Sequence, residues 1–342
     1  MIPASQMLLA AFLALAMTLA LTPWLRRYLL DQGMLDYPGE RRSHDRATPR
    51  GGGLAMAAGL CLGLLVISPS WIYWATFSLL IMVFCLLGWL DDRFDLSVRW
   101  RLSIQLIVAI LMIAAVDGVQ RIELFGWFLD WPWLWSVLAV PAIIWLINLH
   151  NFMDGADGLA ASQGVWSGLG FGILFLWAGY SQEAGLAFLL SAVCLGFLYW
   201  NRPVAKIFMG DSGSLMLGSL IAWLALVGAA TGAVSIWSSL VICSVFATDA
   251  TATLMLRLSR KERWYTPHRQ HAYQRLIIAG WSHARVLWLY AAINAVVVLA
   301  AVLVGVGFPE LDAWLAVGVA VVLIVGWWCI QSALNGESLP HD

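Results

Sequence analysis

Long apolar runs alternate with short polar segments along almost the whole 342-residue chain. The pattern predicts eleven hydrophobic helices, because a helix needs about 20 apolar residues to cross a bilayer and shorter ones can tilt or thin it locally. The predicted helices lie near residues 4–24, 51–68, 72–90, 102–116, 133–150, 164–180, 184–200, 214–230, 236–256, 286–306 and 313–331. We therefore expect an all-α, polytopic membrane protein in which residues 1–342 form a single integral-membrane domain.

The composition supports a membrane protein and narrows its partners. The chain is 61% hydrophobic and only 11% charged, whereas about a quarter of the residues in a soluble domain are charged. A formal net charge of −1 argues against a nucleic-acid partner. The five cysteines lie inside apolar runs without metal-ligand spacing, so we interpret them as small packing hydrophobes.

Positive charge is confined to one side of the predicted spans. Of the 19 Lys and Arg residues, all but Arg121 fall on the connections that follow odd-numbered runs. Because basic residues stay cytoplasmic, these connections are predicted to be inner loops, with a periplasmic N-terminus and a cytoplasmic C-terminus. The inner loops cover residues 26–50, 91–101, 151–163, 201–213 and 257–285.

Two adjacent acids, Asp91 and Asp92, end the third apolar run on the inner side. Ionisable groups at the membrane boundary are costly and are functional candidates for that reason. Adjacent carboxylates on a helix point in different directions, so one can hold a metal ion while the other acts elsewhere, for instance as a base. The alternative is a solvated helix end, although acids are unfavourable at the C-terminal end of the helix dipole.

Four amides and acids occur at three-residue intervals after the fifth run: Asn148, Asn151, Asp154 and Asp157. This spacing predicts a polar stripe along one helical face, which suits Mg²⁺, phosphate-linked water and the edge of a base. The alternative is a polar helix cap, but a cap uses one such residue.

Asp211 lies in a Gly/Ser turn at a predicted helix start, three residues after Phe208. Backbone N–H groups there favour anions, and the acid can hold a cation that bridges to phosphate. Asp211 could equally cap the helix that begins near Ser214, and both interpretations can hold together. Asn201, before this turn, is a further polar candidate, although such a residue is more often a cap or turn.

The largest inner loop carries His268 and His271, which share a face, with Arg269 beside them. Such cations would bind a pyrophosphate. A basic loop lying on anionic lipid explains the other cations nearby, but it does not explain the paired histidines. The basic residues in the first-loop block from Asp36 to Gly52 are explained equally well by the rule that positive charge stays on the inner side and by a role in binding substrate. Asp249, inside the ninth run, is either a helix-pairing polar residue or part of the site.

Taken together, these blocks resemble the polyprenyl-phosphate N-acetylhexosamine-1-phosphate transferase superfamily, glycosyltransferase family 4, from about Asp36 to Arg275. The resemblance implies that Asp91 and Asp92 are catalytic and that Asp211, Asn151 and Asp92 hold Mg²⁺, or Mn²⁺ in its place. It implies substrate-binding roles for Asp154, Asp157, Asn201, Phe208, His268, Arg269 and His271. Within that set, Phe208 corresponds to an aromatic that stacks on uracil, and the histidine loop to one that contacts pyrophosphate.

Two departures bear on the branch of the superfamily. The peptidoglycan branch has Lys where this chain has Asp95, and a longer histidine run where this chain has His-Arg-Gln-His-Ala-Tyr-Gln. Both departures argue against the pentapeptide substrate, and the His-Arg-Gln-His-Ala-Tyr-Gln form is most similar to the WbpL-type branch that initiates O-antigen. The implied reaction transfers an N-acetylhexosamine 1-phosphate from UDP-FucNAc, UDP-QuiNAc or UDP-GlcNAc to undecaprenyl phosphate. UMP would be released, and O-antigen or another surface polysaccharide would be started.

The resemblance also implies a location and partners. We expect the protein in the bacterial inner membrane, with an active site on its cytoplasmic face, contact with membrane lipid and no nucleic-acid partner; a homodimer is compatible with this.

Three alternative functions stay open. An intramembrane prenyltransferase also uses an Asp-rich site for Mg²⁺ and pyrophosphate, but it does not need the histidine loop. A CDP-alcohol phosphatidyltransferase has further acids that the segment after Asp154 lacks. A transporter keeps its ionisable residues near the membrane midplane. In this chain only Asp249 lies near that depth, which argues against a transporter.

Overall fold

The computed structural model describes residues 2–37, 47–263 and 268–334. Most of these residues are helical. The helices are α1 (Ala4–Asp31), α2 (Gly53–Ile67), α3 (Trp71–Phe94), α4 (Val98–Ala115), α5 (Pro132–Phe152), α6 (Leu159–Trp177), α7 (Ser181–Asn201), α8 (Asp211–Thr231), α9 (Ile236–Ser259), α10 (Ala272–Ile278), α11 (His283–Gly307) and α12 (Asp312–Leu334). A short 3₁₀ turn, Pro309–Leu311, precedes α12. Each of the eleven predicted runs coincides with one long helix.

Within the described part of the chain, ten helices are long and apolar enough to cross a membrane. The exception among the eleven is α2, which has 15 residues. At 1.5 Å per residue it is about 22 Å long, short of the roughly 30 Å hydrocarbon core. The prediction of an all-α, polytopic membrane protein is confirmed. The orientation of the two termini stays a prediction.

The three helices α6, α7 and α8 form the interior of the bundle. Helix α6 packs along α7, α1 packs on α2 and α7, and α3 and α5 lie on either side of α8; α9 packs on α12, and α11 on α6. Three of the five cysteines, Cys85, Cys194 and Cys243, are buried free thiols as expected of packing residues, whereas Cys61 is half-buried and Cys329 is exposed. Large apolar side chains such as Leu8 and Val322 are exposed on the outer helices, as a lipid-facing surface requires.

Two small strand pairs interrupt the helices. β1 (Leu35–Asp36) pairs antiparallel with β2 (Thr48–Pro49) in the first inner connection. β3 (Ile122–Leu124) and β4 (Trp127–Leu129) form a hairpin in the long outer connection. Its two turn residues, Phe125 and Gly126, have φ values of 51° and 85°, as the tight turn of such a hairpin requires. The sequence analysis did not predict these strands, because two or three residues are too few for an alternating pattern.

The predicted polar stripe on one helix is wrong. Helix α5 ends at Phe152. Asp154 and Asp157 therefore lie in the turn between α5 and α6 and not on a face of α5. Gly158 ends that turn with φ 77°, a left-handed conformation that glycine adopts without strain. Asn148 does lie on α5, but its amide donates to Gln105 Oε1 in α4 at 2.7 Å. The four residues therefore do not form one continuous surface.

Candidate active site

A cavity of about 260 Å³ opens where the connections α1–α2, α5–α6 and α7–α8 meet the segment around α10. Seven of the eleven predicted site residues line it: Asn151, Asp154, Asp157, Asn201, Phe208, Asp211 and Arg269. Asp91, Asp92, His268 and His271 are not among its lining residues. Four separate segments of the chain therefore converge on one polar space.

Asp211 lines the cavity, and Asp92 lies directly behind it. Arg50 Nη2 is 2.7 Å from Asp92 Oδ1 and 2.5 Å from Asp211 Oδ1. The Asp211 backbone N–H donates to Asp92 Oδ1 at 3.1 Å. The other oxygen of this buried carboxylate, Asp92 Oδ2, has no hydrogen-bond partner among the described residues. A Cβ placed on the cavity-lining Gly210 would lie 2.5 Å from that oxygen, so Oδ2 is directed toward the cavity wall.

Asp91 does not line the cavity, but its side chain contacts the cavity-lining Asp211 as well as residues outside the cavity. Its Oδ2 accepts a hydrogen bond from Arg101 Nη1 at 2.6 Å, and its Oδ1 accepts from the Leu96 N–H at 2.9 Å. Arg101 Nη1 also lies 3.8 Å from Asp211 Oδ2. Asp91 pairs with Arg101 and Asp92 with Arg50, but both acids also contact Asp211. The prediction that the two carboxylates act in different places is therefore wrong, because both are directed toward the start of α8.

Close backbone packing brings the start of α8 between α2 and α3. A Cβ on Gly88 of α3 would lie well under 3.0 Å from backbone atoms of Asp211 and Ser212. A Cβ on Gly53 of α2 would meet the backbone of Gly213 in the same way. Because real Cβ atoms are essentially never found so close, glycine at both positions is what allows Asp211 to reach Asp92.

Asn151 and Asp154 extend the polar wall from the end of α5. The Asn151 amide donates to Ser214 Oγ on α8 at 3.0 Å, which fixes α5 beside the start of α8. Asp154 lies deep among protein atoms, and this burial raises the pKa of its carboxyl well above the usual range. The nearby carboxylate of Asp211 raises it further, whereas Arg50 lowers it. The raised pKa favours the neutral, protonated form of Asp154, so the negative charge on this side of the cavity comes from Asp211 and is offset by Arg50.

Asp157 and Asn201 brace the turn between α5 and α6. Asp157 Oδ2 accepts from the Ala205 N–H at 3.0 Å, and His283 Nδ1 lies 3.2 Å from Asp157 Oδ1. Asn201 Oδ1 accepts from the Gly158 N–H at 2.9 Å, while its amide donates to the Ile207 carbonyl at 2.9 Å. Both side chains line the cavity but are already bonded to the protein.

The loop before α8 is joined to the first inner connection by backbone hydrogen bonds. The Phe208 N–H donates to the Pro49 carbonyl at 2.8 Å, and the Gly52 N–H donates to the Phe208 carbonyl at 2.9 Å. These bonds set the half-buried Phe208 ring at the cavity and place Arg50 beside it. The rest of the first-loop block, residues 38–46, lies outside the described residues.

The largest inner loop contributes a third wall. Arg269, Tyr273 and Gln274 line the cavity, whereas the rings of His268 and His271 lie behind them, with centroids 4.9 Å apart. Burial, followed by the neighbouring His271 and Arg257, lowers the pKa of His268 to about 4. His268 is therefore neutral near pH 7. Residues 264–267 of this loop lie outside the described residues.

The described residues contain no group of three or more His, Cys, Asp or Glu side chains that could hold a metal ion. The nearest arrangement is the pair Asp92 and Asp211, with Asn151 beside them. An amide oxygen and two carboxylates are ligands that Mg²⁺ accepts, since it keeps several waters and usually takes one or two protein carboxylates.

Sequence reasoning missed several residues at this site. Arg50 and Tyr273 stand inside blocks that the sequence analysis singled out, but only the fold shows that Arg50 bridges two acids and that Tyr273 lines the cavity. For Arg101 the sequence indicated only that it lies on an inner loop, as one of the basic residues there. His283 stands outside every motif, so nothing in the sequence indicated that it lies beside Asp157.

Comparison with known proteins agrees with these observations. The family model "Glycosyl transferase family 4" matches residues 74–229, a range that holds Asp92, Asn151 and Asp211. The chain is 31% identical over 330 residues to the probable undecaprenyl-phosphate N-acetylglucosaminyl 1-phosphate transferase of Bacillus subtilis (strain 168), covering 94% of this chain and 90% of that protein.

Two further relatives have related names. The phospho-N-acetylmuramoyl-pentapeptide-transferase of Moorella thermoacetica is 31% identical, over 84% of this chain and 95% of its own length. The undecaprenyl-phosphate alpha-N-acetylglucosaminyl 1-phosphate transferase of Yersinia pestis is 29% identical, over 90% and 87%. The chain therefore belongs to glycosyl transferase family 4 and is an enzyme of the sugar-phosphate transferase type.

Proposed function

We propose that this enzyme transfers an N-acetylhexosamine 1-phosphate from a UDP-sugar to undecaprenyl phosphate and releases UMP. The observation that carries the proposal is the convergence of Asn151, Asp154, Phe208, Asp211 and Arg269 on one cavity. Acids for a metal ion, a cation for phosphate and an aromatic ring for a base are the groups that a nucleotide diphosphate requires.

The names of the relatives support the substrates. Two of them are N-acetylglucosaminyl 1-phosphate transferases that act on undecaprenyl phosphate, and the similarity extends over most of each chain. UDP-GlcNAc is therefore the first donor to test. The His-Arg-Gln-His-Ala-Tyr-Gln form of the inner loop favours a role in starting O-antigen, for which UDP-FucNAc and UDP-QuiNAc are the alternative donors.

Alignment and charge neutralisation account for most of the catalysis of phosphoryl transfer. The lipid phosphate attacks the β-phosphate of the donor, the β-phosphate bond to the α-phosphate breaks, and UMP leaves with that electron pair. Arg50 and Arg269 line the cavity and supply positive charge to the diphosphate. A general base is not required, because a phosphate monoester is already a nucleophile near neutral pH. Asp91, which is bonded to Arg101, is thus better placed to support the site than to take a proton.

The side chains fit a Mg²⁺ ion. Asp92 Oδ2 is buried without a hydrogen-bond partner among the described residues, which is costly unless a ligand satisfies it. Asp211 and Asp92 would hold the ion, with Asn151 as the neighbouring amide, and the ion would neutralise charge on the diphosphate. Arg50 Nη2 lies between the same carboxylates, so a bound ion would share these oxygens with the guanidinium group.

Phe208 is the proposed stacking partner of uracil. Its ring is half-buried at the cavity and its backbone is fixed at both the N–H and the carbonyl. Asp157 is already engaged by the Ala205 N–H and His283, but each of its carboxylate oxygens can accept a second hydrogen bond, so it can also contact the base. Asp154 and Asp157 both line the cavity and are the acids that we propose for contact with the nucleoside.

The proposed location is the cytoplasmic face of the bacterial inner membrane. The cavity opens among the connections that hold all Lys and Arg residues except Arg121, and such connections face the cytoplasm. There the nucleotide can enter from water and the lipid phosphate from the bilayer. The prenyltransferase alternative is less well supported, because the third acid of its motif, Asp95, is exposed and does not line the cavity.

The decisive experiment uses purified protein, undecaprenyl phosphate, Mg²⁺ and each of three radiolabelled donors: UDP-GlcNAc, UDP-FucNAc and UDP-QuiNAc. We expect sugar label in the lipid fraction and UMP in the aqueous phase. Asp211→Asn should abolish both products without preventing membrane insertion. Asp31→Asn, at an exposed acid that ends α1 outside the cavity, is the matched control and should keep full activity. Release of UDP in place of UMP would overturn the proposal.

A further inference from the structure

Asp249 on α9 is a buried carboxylate whose two oxygens are both bonded to the segment around α10. It is 3% exposed. Oδ1 accepts from the Ala272 N–H at 2.8 Å, and Oδ2 accepts from the Tyr290 hydroxyl of α11 at 2.7 Å. A buried charge is costly unless its hydrogen bonds are satisfied. The pattern of these bonds therefore indicates what the carboxylate does.

The group that Asp249 holds is the start of α10. The Tyr273 N–H also points to Asp249 Oδ2, at 3.4 Å. Helix α10 has only seven residues, and helices this short are not stable without tertiary contacts. The His271 N–H donates to Gln274 Oε1 in its first turn at 3.3 Å. The position of α10 is thus set by its cap and by the Asp249 carboxylate together.

Helix α10 in turn forms part of the cavity wall. The Tyr273 hydroxyl donates to the Phe152 carbonyl at the end of α5, at 3.1 Å. The same hydroxyl lies against Gly155, where a Cβ would collide with it. Tyr273, Gln274 and Arg269 all line the cavity. Tyr273 and Gln274 belong to α10 and Arg269 lies three residues before it, so a shift of α10 would move the first two directly and Arg269 through the short connection.

His271 belongs to this anchor rather than to the cavity lining. It is 4% exposed, and its Nδ1 lies 3.7 Å from Asp249 Oδ1. Its ring stacks on Tyr273 with centroids 5.8 Å apart and planes 13° apart. The second histidine of the inner loop contacts the carboxylate that holds α10.

We propose that Asp249, Tyr290 and His271 are positioning residues that fix α10 so that Arg269 meets the diphosphate of the donor. The inference rests on the proposed function of the cavity. It assigns these three residues to the binding of the nucleotide sugar and not to the lipid acceptor, because the groups that α10 presents line the polar cavity.

The test is Tyr290→Phe, which removes one hydroxyl and keeps the ring. We expect the KM for the UDP-sugar to rise about tenfold, consistent with the loss of one hydrogen bond to a charged group. The turnover number should change less than about threefold, and the KM for undecaprenyl phosphate should not change. Hydrogen–deuterium exchange of the Ala272 amide, whose acceptor is Asp249, should become faster without any substrate present.

A double-mutant cycle separates positioning from general weakening of the fold. If Tyr290 acts through the inner loop, adding Tyr290→Phe to Arg269→Ala should raise the KM by less than about threefold, since the contact is already lost. Effects that multiply would overturn the inference, as would an unchanged KM in Tyr290→Phe. Asp249→Asn, which keeps size but not charge, should behave like Tyr290→Phe.

Asp312→Asn is the matched control. Asp312 is also a buried carboxylate, 4% exposed, with hydroxyl donors Ser235 and Ser238 at 2.7 and 3.0 Å, but it lies outside the cavity. It should lose thermal stability and keep its KM values; an equal rise in its KM for the donor would contradict the inference. A wild-type enzyme that makes no lipid-linked product refutes the proposed function, and in that case exchange at Ala272 still tests the anchor.

Discussion

Gly88→Ala tests whether close packing of α3 on α8 is what assembles the acids. The added methyl group would lie well under 3.0 Å from the carbonyl group of Asp211 and from the Ser212 nitrogen. These are backbone atoms that cannot rotate away, so the two helices must separate. Since ordinary contact begins at 3.4 Å, the start of α8 would move by roughly 1 Å, the scale at which misplacement costs on the order of 100-fold in rate.

The stability cost should be smaller than the catalytic one. Overpacking in a well-packed interior typically costs about 1–3 kcal/mol, and replacing a mid-helix glycine with alanine regains about 0.5–1 kcal/mol. A folded, membrane-inserted protein with slightly lower thermal stability is therefore expected. Its kcat/KM should fall by about 100-fold, because Asp211 no longer sits beside Asp92.

The assay is lipid-linked product formation per folded enzyme, measured beside thermal unfolding in detergent. Gly168→Ala is the matched control: its Cβ would lie 2.6 Å from the Ala187 carbonyl oxygen and 2.7 Å from the Ser191 nitrogen. That clash is also with backbone, but it lies between α6 and α7 away from the lining residues. It should lower stability without a comparable loss of kcat/KM. Equal losses of activity in both variants, or full activity in Gly88→Ala, would refute the reasoning.

Two further predictions follow from other walls of the cavity. Phe208→Ala should raise the KM for the UDP-sugar about tenfold with little change in kcat, because stacking on a base contributes about 1–3 kcal/mol; an unchanged KM in steady-state kinetics would remove Phe208 from the base site. Because the pKa of His268 is lowered to about 4, from about 6.5 when unfolded, its contribution to stability is present above pH 6.5 and is lost as the pH falls toward 4. When the pH is lowered from 7 to 5, the melting temperature of His268→Gln should therefore fall less than that of the wild type. Equal decreases in the two melting temperatures would contradict the predicted direction of the pH dependence.

The eleven long helices could be predicted from the sequence because each contains a long apolar run, whereas the seven-residue α10 was not predicted. The sequence also predicted that Asp92, Asp211 and Arg269 lie on the same side of the membrane, since each follows an odd-numbered apolar run; which side that is stays a prediction. Local periodicity failed where a turn replaced a helix: the three-residue spacing of Asn151, Asp154 and Asp157 continues across the end of α5, and spacing alone does not reveal that end.

The contacts that assemble the site could not be predicted, because they join residues far apart in the chain. Arg50 meets Asp211 across 161 positions, and no local pattern encodes that pair. Asp249 is a similar case. Its place inside an apolar run was compatible with a helix-pairing residue or with a residue of the site. Its hydrogen bonds to the Ala272 N–H and the Tyr290 hydroxyl show that it joins α9 to the segment around α10 and to α11.

The central claim is that acids from distant segments converge on a single metal-bound diphosphate. Anomalous diffraction from Mn²⁺ in crystals of the full chain soaked with a UDP-sugar tests it most directly. We expect one strong peak at coordinating distance, roughly 2 Å, from Asp211 and from an oxygen of the donor's diphosphate, with Phe208 against the uracil ring. A diphosphate bound elsewhere, such as the outer cavity beside Arg121, with Arg50 still bridging Asp92 and Asp211, would contradict the account.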